Sequence, residues 1–239
     1  MPPAGLVSRL LRGVKTFGVS TESNLKRPRA LIFDWDNTLV DTWPTIHEAL
    51  RQTFVAMEVE PWTFEQTRQR VRRSMRESFP ELFGDRWTKA RDIFYDAYER
   101  VHLTSLTPCD GAGEGLSTLS AQGLYLGVIS NKTGRYLRSE AEHLGWNDYF
   151  GRLVGAGDAE RDKPAAEPVE MALEGSGFGP VDDVWMVGDA GIDMEIAHVT
   201  GMVPVLISAG DPDPVEFETH PPQLHMTSIK ALVEQVSKL

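Results

Sequence analysis

The sequence predicts an α/β protein: a doubly wound parallel-sheet core with a small all-helical domain inserted into it. From residue 108 onwards, short apolar runs alternate with helical patterns of about 10–15 residues, which is typical of parallel βαβ units. Before that point, a single apolar run at 30–33 is followed only by helical patterns. The length of 239 residues suits one such core with a modest insertion.

These patterns divide the chain into an extension, residues 1–28, a core, residues 29–43 and 108–239, and a helical cap, residues 44–107. Residues 1–20 contain basic but no acidic residues, with apolar residues at near-helical spacing. Such a segment is typical of a transit peptide or a membrane-surface helix. Because the segment is short and interrupted by Gly and Pro, we favour the alternative, a mobile extension or a helix that packs on the domain or on a partner. We expect a cytoplasmic protein, or an organellar one if residues 1–20 are a transit segment.

The elements of the core follow from periodicity and from Gly and Asp boundaries. We expect a strand at 30–34 and, in the insertion, helices starting at Pro44 and spanning 63–75 and 87–103, with a break at 78–84. In the core, Asp110 is expected to cap a helix that ends at Ala121. The elements expected after it are strands at 124–129, 153–154, 184–187 and 203–207, helices at 133–144, 166–174 and 191–199, an irregular Pro-rich segment, and a closing helix from about 228.

Composition excludes several classes of protein. Acidic residues outnumber basic ones by 35 to 24, giving a net charge of −11, whereas a general nucleic-acid binder needs a basic face. The single cysteine, Cys109, cannot form an internal disulfide. No apolar run approaches the about 20 residues of a membrane span. We therefore expect no nucleic-acid partner and no membrane span.

The stretch around Asp34 and Asp36 is the strongest candidate for a functional site. The apolar run Ala30 to Phe33 stops at these two acids, and ligands in open α/β sheets bind outside the carboxyl ends of strands. Two crowded carboxylates repel each other and are costly to desolvate. Such a pair is tolerable if a cation neutralises it, and useful if one acid attacks while the other shuttles a proton. The alternative is a solvated acidic turn.

Polar groups of complementary type also follow other predicted strands. Ser130 and Asn131 end one strand, and Asp189 with Asp193 follow another, so parallel pairing would bring them to the same edge as Asp34 and Asp36. Lys163 immediately precedes a helix. Taken singly, each has an ordinary explanation. Ser130 could cap the helix that follows it, and Lys163 could be an ordinary exposed lysine. Asp189 and Asp193 could be a helix cap and a solvated residue of the first helical turn. Together, in this order, they indicate a site.

With these motifs the chain resembles the haloacid dehalogenase superfamily of phosphotransferases, in its phosphoglycolate-phosphatase-like branch with a helical cap on a Rossmannoid core. The resemblance covers about residues 29–210 and is carried by four motifs in order. These are Asp34-Trp35-Asp36-Asn37-Thr38, Val128-Ile129-Ser130-Asn131-Lys132, Lys163-Pro164, and Gly188-Asp189-Ala190-Gly191-Ile192-Asp193. Asn37 stands where Gly is frequent in the family, and Asn also tolerates unusual turn dihedrals.

The resemblance implies a role for each motif residue. Asp34 would be the nucleophile, Asp36 the acid and base, and Lys163 the group that neutralises charge at the transferring phosphoryl group. Ser130 and the amide of Asn131 would hold phosphoryl oxygens. Mg²⁺ would be held by Asp34, the backbone carbonyl of Asp36, and Asp189, with Asp193 as a further or outer acid.

The resemblance therefore implies a Mg²⁺-dependent phosphatase that hydrolyses a small phosphorylated, phosphoglycolate-like metabolite through an aspartyl-phosphate. Two alternatives stay open. One is a sugar phosphomutase of the same superfamily, which needs an acid/base pair in the cap. The other is a binding or scaffold protein that keeps the fold without the activity. The cap is expected to hinge on residues 37–44 and 107–111, with Thr42, Trp43 and His47 near the site.

Overall fold

The computed structural model describes residues 25–71, 75–180 and 183–239. The amphipathic helix expected at 1–20 and part of the helix expected at 63–75 therefore lie outside the described residues. The strands are β1 Ala30–Phe33, β2 Val40–Asp41, β3 Thr107–Pro108, β4 Tyr125–Thr133, β5 Arg152–Ala156, β6 Val184–Gly188, β7 Val203–Ile207 and β8 Leu224–Met226. The helices are α1 Trp43–Ala56, α2 Phe64–Arg70, α3 Met75–Phe83, α4 Trp87–Val101, α5 Ala112–Ala121, α6 Gly134–His143, α7 Glu167–Leu173, α8 Gly191–Thr200 and α9 Ile229–Lys238.

Six strands form one parallel sheet in the order β5-β4-β1-β6-β7-β8. The chain builds outward from β1 in one direction through β4 and β5, and in the other through β6, β7 and β8. The reversal point therefore lies beside β1, where the carboxyl ends of β4, β1 and β6 are neighbours. Open α/β sheets bind ligands at such a switch point.

Helices cover both faces of this sheet, which explains why β1 is apolar throughout. Leu31 and Phe33 pack on one face with residues of α5, α6 and α9, while Ala30 and Ile32 pack on the other with residues of α7 and α8. Alternate residues of a strand point to opposite faces, so a strand buried on both sides needs apolar residues at every position. The fold is the doubly wound α/β core that the sequence predicts.

The helices α1 to α4 form a helical insertion between β2 and β3, which pair antiparallel with Val40 opposite Pro108. The insertion has its own apolar core, built mainly from α1, α3 and α4. Rings meet there edge-on, as between Phe79 and Phe94, whose centroids are 5.8 Å apart. One member of this core, Tyr136, comes from α6 of the sheet domain.

Several predicted elements need correction. The expected break at 78–84 is wrong, because α3 runs through Phe83 and buries Phe79 and Phe83, one turn apart, in the core of the insertion. That burial outweighs the helix-breaking tendency of Pro80. Asp110 does not cap α5; Gly111, with φ of 72°, occupies the N-cap without a side-chain bond.

The Pro-rich segment expected to be irregular also contains a strand. β8 pairs with β7, with Leu224 opposite Val205, and so adds a sixth strand at the sheet edge. Three residues are too few for periodicity to reveal. Within the described ranges, no helix has the length and apolar character that crossing a bilayer requires.

Candidate active site

The predicted site residues converge at the carboxyl ends of the three central strands. Asp34 directly follows β1, Ser130 and Asn131 lie in the C-terminal half of β4, and Asp189 directly follows β6. The backbone N–H of Asp34 donates to the carbonyl of Val187 at 2.8 Å, which fixes the end of β1 against β6. The structure thus brings the first, second and fourth sequence motifs to one edge of the sheet.

Lys163 reaches this edge from the loop before α7. Its Nζ donates to Asp34 Oδ1 at 2.7 Å and to Asp193 Oδ1 at 2.7 Å, and the lysine side chain is only 3% exposed. The side chain of Asn131 holds the backbone of Lys163 from both sides. Its Oδ1 accepts the Lys163 N–H at 3.1 Å, and its Nδ2 donates to the Lys163 carbonyl at 3.2 Å. Asn131 therefore positions the lysine, a contact that the sequence motif does not reveal.

Three carboxylates gather around this ammonium. Oxygens of Asp34, Asp189 and Asp193 all lie within 4.8 Å of one another. The Thr38 hydroxyl donates to Asp189 Oδ1 at 3.4 Å, and the Ala190 N–H donates to Asp193 Oδ2 at 3.1 Å. Both oxygens of Asp193 thus have protein donors, whereas the other two acids keep oxygens available to a ligand.

Gly188 makes this packing possible. A Cβ built on this residue would lie 2.3 Å from Cγ of Asp193, closer than real side chains approach. The absence of a side chain at the end of β6 therefore lets α8 bring Asp193 against Lys163. This gives a physical reason for glycine at the start of the fourth motif.

The crowding of the acids shifts the pKa values of the groups in the site. Burial raises the pKa of Asp34 to about 7, although Lys163 acts in the opposite sense. Burial, followed by the charges of Asp34 and Asp193, raises the pKa of Asp189 well above its usual range. Burial alone would lower the pKa of Lys163, but Asp193 and Asp34 raise it above its ordinary value. One ammonium faces three acids here, so a divalent cation would relieve the remaining repulsion.

Asp36 lies on a second side of the site, outside the three-acid cluster. Its Oδ1 lies 2.7 Å from Nζ of Lys132, and its side chain is 24% exposed. The loop that carries it turns at Asn37, whose φ of 61° is left-handed. Asn37 Oδ1 accepts the backbone N–H of Thr42 at 3.3 Å and so closes the loop before α1. This asparagine therefore adopts the left-handed conformation that few non-glycine residues other than Asn and Asp take.

The sequence motifs assign no role to Lys132, Trp35 or Glu140. Glu140, fully buried on α6, accepts hydrogen bonds from Lys132 Nζ at 2.5 Å and from Trp35 Nε1 at 2.7 Å. The burial of Glu140 could have been predicted from the sequence, because it lies on the same face of its helix as the apolar residues Leu137 and Ala141. A carboxylate on a buried face needs partners.

Comparison with known proteins agrees with this architecture. The profile of the haloacid dehalogenase-like hydrolase family matches residues 31–207. The chain is 30% identical over 200 residues to a phosphoglycolate phosphatase of Chromobacterium violaceum, which covers 80% of this chain and 89% of the relative. It is 27% identical to the N-acetylmuramic acid 6-phosphate phosphatase of Pseudomonas aeruginosa, over 81% of this chain and 88% of the relative.

The fold is similarly matched by a haloacid dehalogenase-like hydrolase of Streptococcus pneumoniae, with a TM-score of 0.77 and 21% identity over 87% of this chain and 98% of that one. The fold, and a family match that covers most of the chain, together place the protein in a class of hydrolases. The chain belongs to the haloacid dehalogenase-like hydrolase family. The predicted membership and the predicted α/β fold are confirmed.

Proposed function

We propose that this phosphoric monoester hydrolase is a Mg²⁺-dependent phosphatase that acts on a small phosphorylated metabolite, of phosphoglycolate type, through an aspartyl-phosphate. The observation that carries the proposal is the buried contact of Asp34 with Lys163, 2.7 Å long, beside Asp189 and Asp193 at the switch point of the sheet. A nucleophile, a buried cation and a cluster of oxygen ligands are the groups that phosphoryl transfer requires.

Each step uses a described side chain. A carboxylate oxygen of Asp34 attacks phosphorus as the bond to the leaving oxygen breaks, and Asp36 gives that oxygen a proton. Water then attacks the phosphorus of the aspartyl-phosphate and loses a proton to Asp36, which releases inorganic phosphate and regenerates Asp34. Ser130 and the backbone amide of Asn131 hold phosphoryl oxygens, while Lys163 neutralises the charge that spreads over them.

The acid cluster fits a hard cation with oxygen ligands. Asp34, Asp189 and the backbone carbonyl of Asp36 would hold Mg²⁺, which keeps several waters in sites with few carboxylates. Asp193 stays a predicted further acid, one that already accepts bonds from Lys163 and the Ala190 N–H. When bound, the ion supplies positive charge that stabilises the phosphoryl group in the transition state.

The helical insertion is the proposed cap, comprising residues 44–107, with 29–43 and 108–239 as the core. Thr42 and His47 do not point freely into a site: the Thr42 hydroxyl donates to Asn37 Oδ1 at 3.4 Å, and His47 Nδ1 lies 2.9 Å from the Thr67 hydroxyl oxygen. The substrate class rests on relatives named for phosphoglycolate and for N-acetylmuramic acid 6-phosphate. Both are small phosphate monoesters that also carry a carboxylate.

The test is hydrolysis of p-nitrophenyl phosphate with Mg²⁺ and after its removal by a chelator. Asp34→Asn should abolish turnover, whereas Asp148→Asn, at an exposed acid on the core surface, should leave it intact. Undiminished turnover by Asp34→Asn would refute the aspartyl-phosphate mechanism. Phosphoglycolate and N-acetylmuramic acid 6-phosphate then compare the two substrate types.

Two alternatives have their own outcomes in this experiment. An isomerised sugar phosphate among the products would favour a phosphomutase. A complete lack of turnover with both metabolites and with p-nitrophenyl phosphate, in the presence of Mg²⁺, would favour a binding or scaffold protein.

A further inference from the structure

We propose that Lys132 and Glu140 are positioning residues that hold the Asp36 carboxylate in the orientation its two proton transfers need. The inference rests on the proposed function, because it takes Asp36 to be the group that carries those protons. Three observations support it: the ion pair of Asp36 with Lys132, the buried carboxylate behind that lysine, and the contacts of that carboxylate with the helical insertion.

The Lys132 ammonium is the charge partner of Asp36. Oδ1 of Asp36 is buried and accepts no hydrogen bond with good angular geometry from the described part of the chain. The ammonium 2.7 Å away, on a side chain only 5% exposed, therefore offsets the cost of burying that oxygen. A change at Lys132 thus acts directly on the rotamer of the Asp36 carboxylate.

Glu140 fixes this lysine and the side chain of the tryptophan between the two site acids. Its Oε2 accepts from Lys132 Nζ at 2.5 Å and from Nε1 of Trp35 at 2.7 Å. Trp35, which is fully buried, lies between Asp34 and Asp36 in the chain. One carboxylate therefore holds the side-chain partner of Asp36 and the residue next to Asp36.

The other oxygen of Glu140 faces the helical insertion. Oε1 accepts from the hydroxyl of Tyr98 at 3.0 Å and lies 3.0 Å from Nδ1 of His102. Both residues belong to the end of α4 or directly follow it. Four partners around one buried carboxylate leave it little freedom, so the docking of α4 on α6 contributes to the orientation of Asp36.

Lys132 is better suited to positioning than to binding substrate. Its ammonium already contacts two carboxylates, and it lies 5.6 Å from the centre of the Tyr98 ring. Substrate phosphate would have to displace these partners. Lys163 has a comparable environment but contacts Asp34, whereas Lys132 contacts Asp36. The two lysines therefore contact different site acids: Lys163 contacts Asp34 and Asp193, and Lys132 contacts Asp36.

The test compares leaving groups in the variant Lys132→Met. An alkyl phosphate such as phosphoglycolate needs protonation of its leaving oxygen, whereas p-nitrophenolate departs without it. We expect turnover of phosphoglycolate to fall about 100-fold at saturation, a share of the factor that general acid–base catalysis supplies. The first-turnover release of p-nitrophenolate should fall by less than about 3-fold, since Asp34 still attacks. Hydrolysis of the aspartyl-phosphate needs Asp36 as a base, so a burst followed by slow turnover is expected.

Glu140→Gln should also lower phosphoglycolate turnover more than the first-turnover release of p-nitrophenolate. The loss on phosphoglycolate should be smaller, about 10-fold, because the lysine keeps its contact with Asp36. The control is Arg138→Met on the same helix, which removes a cation 2.6 Å from Asp158 and should alter either rate by less than about 2-fold. If either single variant fails to fold, Lys132→Met/Glu140→Gln removes both buried charges together and serves for the same comparison.

Equal losses with both leaving groups, a change in KM alone, or no loss in folded variants would overturn the proposal. Failure of the wild-type protein to hydrolyse either ester would instead refute the proposed function. Thermal unfolding of each variant, followed by circular dichroism, establishes that the protein compared is folded.

Discussion

Lys163→Met removes the buried ammonium that contacts Asp34 and Asp193 and leaves the three carboxylates of the cluster crowded together. A unit charge pair at 2.7 Å attracts by about 6 kcal/mol at an effective dielectric constant of about 20. Desolvation offsets much of this attraction, and loss of one partner from a buried ion pair costs about 3–5 kcal/mol. We expect the free energy of unfolding without metal to fall by that amount.

Urea unfolding at pH 7.5, with and without Mg²⁺, measures this loss. Mg²⁺ should recover part of it, because the ion supplies the positive charge that the variant lacks. The double variant Lys163→Met/Asp193→Asn should also regain about half of the loss, since of the two acids that Lys163 contacts only Asp34 then keeps its charge without its partner. An exposed ion pair provides the control: Arg161→Met, facing Glu167 with a side chain 71% exposed, should cost less than about 1 kcal/mol.

A loss below about 1 kcal/mol for Lys163→Met would refute this reasoning, because it would mean that the acids are not held together by the lysine. A loss that Mg²⁺ leaves unchanged would refute the assignment of the cluster as a cation site.

Three further outcomes are expected. Gly188→Ala should reduce kcat by about 100-fold because its Cβ displaces Asp193, whereas Gly113→Ala, with nothing nearer than 3.6 Å, should leave kcat within about 2-fold. Mg²⁺ at about 100 times its Kd should stabilise the wild type by about 2.7 kcal/mol in thermal unfolding, and an equal effect in Asp189→Asn would contradict the assigned ligand. Burial raises the pKa of Asp158, but the hydrogen bonds that its carboxylate accepts from Arg138 and from the Gly155 N–H, together with the charge of Arg138, hold that pKa below its usual value. Wild type should therefore be more stable than Asp158→Asn by up to about 1 kcal/mol above the unfolded pKa of about 3.9. This difference in the free energy of unfolding should vanish as pH falls through the lower pKa of the folded state. Urea unfolding from about pH 3 to 7 measures it, and a difference that stays constant over this range would contradict the prediction.

The sequence was informative wherever one residue type answers one local requirement. The carboxyl ends of β4, β1 and β6 could be predicted, because apolar runs stop abruptly at polar residues and parallel pairing aligns their ends. The residue types at 37 and 188 also answer one local requirement each. Asn37 tolerates the positive φ of its turn, and Gly188 leaves room for the side chain of Asp193.

The sequence was uninformative where distant residues share one partner. Nothing in the spacing of Lys132 and Glu140 indicates that both face Asp36 or Trp35, because those contacts depend on how α6 packs beside the loop after β1. The course of α3 past Pro80 is a similar case, since the burial of Phe79 and Phe83 decides it. The side-chain bonds of Asn131 to Lys163 join residues 32 apart in the chain.

Tyr136 has a consequence for how such proteins diversify and can be engineered. Its ring belongs to α6, yet it packs with its centroid 5.1 Å from that of Tyr98 and 5.0 Å from that of His102, inside the aromatic core of the insertion. The insertion is therefore not a transplantable module bounded by β2 and β3. A chimera that exchanges residues 44–107 between homologues must also exchange the matching face of α6. Otherwise Tyr136 loses the rings it packs against, and the buried Glu140 loses two of its four partners.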